Sequence, residues 1–181
     1  VHSSTQHPTE VQHIVARVLD LDYNQVTVMV RRMGGAFGGK ESNASWVASV
    51  AGLLARQTGR PVKLRLPRAH DMVATGKRHG FLYRYEVGFD DAGRVLALDV
   101  TLAANGGHSV DLTPGVLARA LTHVDNAYWL PHVRCTGLAC KTNTVSNTAF
   151  RGFGGPQGVV VMEDAIGRIA HALGRTPEEV R

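Results

Sequence analysis

Two stretches of the chain are stripped of side chains in the same manner. "MGGAFGGKE" (33–41) and "FRGFGGPQG" (150–158) hold eight of the twenty glycines in 181 residues, yet each keeps phenylalanine and charge. Glycine costs more backbone entropy on folding than any other residue. It recurs where φ must be positive or where main chain must approach something closely. The first loop joins a β-branched run, "VTVMVRR" (26–32), to a run rich in Ala, Val and Leu (42–58) closed by Gly59 and Pro61. Strand, glycine loop and helix in that order let bare N–H groups and a helix N-terminus face an anion. The loops therefore predict something large and rigid lying against main chain.

Around them the periodicities are readable. Residues 9–19 place Val11, Ile14, Val15 and Val18 on one helical face, with Thr9 as N-cap. Residues 26–32 and 62–66 read as strands; 81–90 and 94–107 read as two more, joined by the turn Asp90-Asp91-Ala92-Gly93. Helices are predicted over 42–58, 114–123 and 155–173, and a strand over 132–143. Thr176, Pro177, Glu178 and Glu179 spell a helix start. Hairpin-paired strands among helices favour α+β, with a mixed, largely antiparallel sheet and packed helices, over a doubly wound sheet. The chain begins without Met and stops on a helix start, so residues 1–181 are expected to be one fragment of a larger domain.

A net charge of +5 and a pI near 9.6 admit a nucleic-acid partner, but Lys and Arg are scattered and aromatics do not interleave with them. A mildly basic solvated surface is the better reading. Cys135 and Cys140 lack histidine partners at zinc spacing and are expected to be buried free thiols. Low cysteine use suits a reducing, cytoplasmic compartment. No apolar run reaches membrane-spanning length.

For the ligand, the dinucleotide pattern G-x-G-x-x-G is not met by Gly34 to Gly39. A P-loop is nearly met, since Gly34, Gly39 and Lys40 have Walker spacing, but Glu41 stands where Ser or Thr would hold Mg²⁺. A binding module for a phosphorylated ligand is the reading built on that near-match. The third reading is a bulky phosphorylated organic cofactor touched by main-chain amides of both loops.

In order and separation, "STQHPTEVQ", "RRMGGAFGGKE", "RALTHVDNAY", "CKTNTVSNTAFRGFGGPQG" and "TPEEVR" resemble the molybdenum-binding domain of the xanthine dehydrogenase/xanthine oxidase family. The resemblance implies a molybdenum–molybdopterin cofactor and hydroxylation of an electron-poor ring carbon of hypoxanthine or xanthine. It implies electrons leaving through 2Fe–2S clusters and FAD on other domains or subunits, and a dimeric complete enzyme. It places Gln6, Gly35, Phe37, Gly38 and Arg151 at the cofactor, with Gln6, Phe37 and Arg151 on its metal side. Glu41, Arg119 and Phe153 fall on the substrate side. An acid and a cation can orient a purine's N–H groups and carbonyls, and the cation can stabilise charge developing on the ring. Aldehyde-oxidising relatives typically lack this ionic pair. Ala36 stands where many relatives carry a third glycine and His7 where some have Asn, and the family's general-base glutamate is expected downstream of Arg181.

Overall fold

The computed structural model describes residues 1–181, which form two compact units. The first comprises Val1–Arg78 and Val145–Arg151; the second comprises His79–Thr144 and Gly152–Arg181.

In the first unit, helix α1 (Pro8–Leu19) packs on α2 (Asn43–Thr58), and a short α3 (Arg68–Ala74) follows. The periodic face of α1 supplies Val11 and Val15, which close a small core with Ala16, Val26 and Ala48. Val18, expected on that face, is 47% exposed. The N-cap is His7, two residues before the predicted Thr9, because Pro8 has its φ preset for a first helical position and no N–H to leave orphaned. Helix α2 ends as expected at Gly59, in the left-handed conformation.

Two expected strands are absent. Residues 26–32 make only an isolated bridge, Met29 to His2, and residues 62–66 run unpaired. Both keep the alternation that suggested a strand: Val62, Leu64 and Leu66 are half-buried while Lys63 and Arg65 are exposed. Alternation fixes which side faces the core, but a strand also needs a neighbour to complete the ladder; residues 26–32 have only the short run Val1–Ser3 beside them, and residues 62–66 have no ladder partner.

The second unit is built on the sheet β1 (Phe81–Phe89), β2 (Val95–Gly107) and β3 (Val133–Lys141), in that spatial order. The hairpin forms where predicted: Gly93 takes φ 86° and its N–H donates to the Asp90 carbonyl at 2.8 Å. The sheet is mixed, with β1–β2 antiparallel and β2–β3 parallel. The parallel pair follows from the connection through α4 (Thr113–Leu121), since parallel strands need a crossover. Leu98, Val100, Leu102 and Ala104 alternate inward from β2 onto Leu117 and Ala120 of α4 and Val161, Met162, Ala165 and Ile166 of α5 (Gly155–Leu173). A last turn, α6 (Pro177–Val180), carries the predicted cap: the Thr176 N–H donates to Glu179 at 2.8 Å. Cys135 is exposed and Cys140 half-buried, contrary to expectation, because β3 is an edge strand with most residues facing out. No helix is long and apolar enough to cross a membrane.

Candidate functional site

The first glycine loop is closed by a lysine. The Lys40 ammonium donates to Ser4 Oγ at 2.8 Å and to the Met33 carbonyl, drawing the two ends of the loop together. The cation that gave the near-Walker spacing is thus committed to the protein's own oxygens, which argues against a P-loop use. Within the loop Phe37 has φ 53° and is 63% exposed, and Gly38 has φ 90°. A Cβ on Gly38 would sit 2.7 Å from the Ala149 carbonyl carbon, so this glycine is required by the chain's own backbone as well as by its φ.

Gln6 enters beside it. The Gly38 N–H donates to Gln6 Oε1 at 3.2 Å, which leaves the amide NH₂ of Gln6 as a donor. Arg151 completes the group, its guanidinium 5.6 Å from the centre of the Phe37 ring. Behind it, the Arg78 side chain donates to the Arg151 carbonyl at 2.6 Å and stacks 4.5 Å over Phe150. No sequence signal pointed to Arg78; only the folded chain brings it to the second loop. Glu41 has an 18% exposed side chain and faces His7 Nε2 at 3.9 Å, while His7 Nδ1 meets Glu10 at 3.1 Å. Gln6, His7 and Glu10 line an open cleft of about 470 Å³. The structure therefore brings Gln6, Phe37, Gly38 and Arg151 into one cluster, with Gly35 in the same loop, where its missing Cβ would press on the Phe37 ring at 2.8 Å.

In the second unit, Phe153 has φ 49° and lays its ring over Gly115 of α4, 3.0 Å from where a Cβ would stand. Arg119, four residues further along α4, is exposed and enters none of the chain's ion pairs. Its Nε lies 3.9 Å from the Cβ position of Gly155, the first residue of α5. A cation at the positive end of a helix is electrostatically disfavoured, so Arg119 is poised to gain from an anionic or carbonyl-bearing ligand.

The donor set also bears on a metal. No group of three or more His, Cys, Asp or Glu side chains could hold an ion. What the first unit offers is a neutral amide donor, a guanidinium and main chain bared of side chains. That set fits a metal that arrives on its own organic ligands. The family model for the molybdopterin cofactor-binding domain matches residues 1–181.

The chain belongs to that family.

"Xanthine dehydrogenase 1" of Arabidopsis thaliana is 50% identical over 179 residues, which are 99% of this chain and 13% of that protein. "Xanthine dehydrogenase/oxidase" of Felis catus is 49% identical over 98% of this chain and 13% of its own length. Among solved structures, quinoline 2-oxidoreductase of Pseudomonas putida 86 superimposes with a TM-score of 0.85 at 28% identity, covering 99% of this chain and 23% of that one. This molybdopterin cofactor-binding chain thus spans about an eighth of the length of the curated relatives it matches.

Proposed function

We propose that the chain is part of a molybdenum hydroxylase that oxidises hypoxanthine and xanthine. The observation that carries the reading is the identity of about half over essentially the whole chain with xanthine dehydrogenases, against 28% with the quinoline enzyme of the same fold. When bound, the molybdenum–molybdopterin group supplies the two-electron oxidation of the substrate carbon. Gln6 and Arg151 face that group as hydrogen-bond donors, and Phe37 and Gly38 offer it main chain. Glu41 accepts ring N–H groups of the purine. Arg119 donates to its carbonyl oxygens and stabilises negative charge as it develops on the ring. Phe153 offers a flat face to the heterocycle. The general base, the 2Fe–2S clusters and FAD belong to other portions of the enzyme, which works in the cytoplasm as a dimer.

The second reading, an enzyme for another N-heterocycle or an aldehyde, draws on the quinoline oxidoreductase fold match. In the complete enzyme, Glu41→Val and Arg119→Met separate the two. A charge-assisted hydrogen bond is worth about 1.5–3 kcal/mol, so each variant should lose about ten- to a hundredfold in kcat/KM for xanthine. Benzaldehyde, which cannot use both contacts, should lose far less. Equal losses on both substrates would overturn the purine assignment.

A further inference from the structure

The carbonyl of Arg119 lies in the last turn of α4, where main-chain donors run out. The N–H of Thr122 goes to Ala118 at 3.1 Å and that of His123 goes to Ala120 at 3.2 Å. Two side chains take the Arg119 carbonyl instead: Thr122 Oγ1 at 3.1 Å and His123 Nδ1 at 2.9 Å. Thr122 Oγ1 and His123 Nδ1 also lie 3.2 Å apart, and in the tautomer with the hydrogen on Nδ1 the imidazole donates to the Arg119 carbonyl, which can only accept. His123 stands just past the Thr122 C-cap of α4 and folds back over the last turn of that helix. Both side chains flank the same bare point of the second glycine loop: the Cβ position of Gly155 is 3.6 Å from His123 Cδ2 and 3.9 Å from Arg119 Nε. Arg119 Nε and the imidazole thus both lie against Gly155 at the positive end of α5, where the arginine's charge alone would not hold it.

We propose that His123 is a positioning residue for Arg119, tying its backbone at the end of α4 and walling its side chain against Gly155. The inference rests on the reading of Arg119 as a substrate contact. The molybdenum-loaded complete enzyme tests it through Arg119→Met, His123→Leu, His123→Asn and the double variant Arg119→Met/His123→Leu. Each is assayed with xanthine and benzaldehyde and normalised to molybdenum content. A neutral hydrogen bond governs about a three- to tenfold change. His123→Leu should therefore lower kcat/KM for xanthine by that factor relative to benzaldehyde. His123→Asn, whose amide N–H can reach the same carbonyl, should restore most of it. The double variant should be no worse than Arg119→Met alone. Equal losses on both substrates, an Asn variant as damaged as the Leu variant, or additive effects in the double variant would each overturn the proposal. If Arg119→Met is selective against xanthine while His123→Leu is not, only this inference fails. If Arg119→Met spares the ratio, the substrate reading of Arg119 fails and takes this inference with it.

Discussion

Phe37 and Phe153 hold φ of 53° and 49°, and each is followed by a glycine with φ near 90°: Gly38 at 90° and Gly154 at 98°. A bulky residue in the left-handed region is rare and costs of the order of 1–3 kcal/mol, strain that concentrates at ligand clamps. Phe37 is also 63% exposed, so it regains little through burial. A core plug would behave in the opposite way, and the two roles separate experimentally. Phe37→Gly should leave thermal stability unchanged or raise it by about 1 kcal/mol, because relieved strain offsets the lost cation–π contact with Arg151. If the ring faces the cofactor, molybdenum content in the complete enzyme should fall. Gly38→Ala should do the reverse, lowering the thermal midpoint outright, since its Cβ meets the Ala149 backbone at 2.7 Å. A Phe37→Gly variant destabilised as much as Gly38→Ala would return Phe37 to the core.

At the scale of elements, the decisive contact is α4 against α5. A Cβ on Gly154 would run into the Val116 carbonyl, and one on Gly158 into the Ala120 carbonyl, so two glycines four apart let the two backbones touch. Gly167, further along α5, has open space beside it. Gly158→Ala should therefore cost about 1–3 kcal/mol by overpacking, while Gly167→Ala should gain about 1 kcal/mol of helix propensity; thermal midpoints of the pair decide it. The same helix carries two adjacent carboxylates with separate partners. Glu163 takes Arg181 at 2.7 Å and Tyr128 at 2.8 Å, and Asp164 takes Tyr85 at 2.5 Å and Arg168 at 2.8 Å. The Arg181 bond, then that of Tyr128, holds the Glu163 carboxyl below its usual range; the Tyr85 bond, then that of Arg168, does so for Asp164. Burial, then the bond to Asp164, pushes the Tyr85 phenol up to about 12. A depressed carboxyl stabilises above its unfolded value, about pH 4, and that contribution disappears as pH falls through the folded value. Denaturant midpoints should thus drop on acidification below about pH 4, and Glu163→Gln with Asp164→Asn should flatten that limb. The periodicity of α5 and the turn before β2 were fully legible in sequence, because each is fixed by local spacing and one glycine. The strands expected at 26–32 and 62–66 were not, since pairing depends on a neighbour that alternation cannot reveal. The glycines of the second loop were legible as a need for closeness, but not as closeness to α4. Arg78 and the Lys40 clasp left no local signal, because each acts on residues distant in sequence.

At the scale of the whole molecule, the two units have cores of different size. The first buries Val11, Val15, Ala16, Val26 and Ala48 between two helices, whereas the second buries eleven residues between a sheet and its helices. Stabilisation by burial grows with apolar area removed from water, and local opening free energies follow it. Amide exchange of the chain should therefore show β2 and α5 protected longest and α1 and α2 exchanging earlier. The loop at 33–41 should exchange earliest, and adding the cofactor in the complete enzyme should slow that loop more than β2. The chemistry divides differently. This chain spans 13% of relatives named as xanthine dehydrogenases, and the resemblance puts the general base beyond Arg181. The 181-residue chain by itself should consequently give no xanthine turnover with an artificial electron acceptor, while the complete enzyme turns over. Turnover by the isolated chain would mean that one of its own carboxylates serves as base. Glu41 would then be the first to test, as the half-buried acid within the loop region, and Glu41→Gln would have to abolish that activity on xanthine and aldehyde alike.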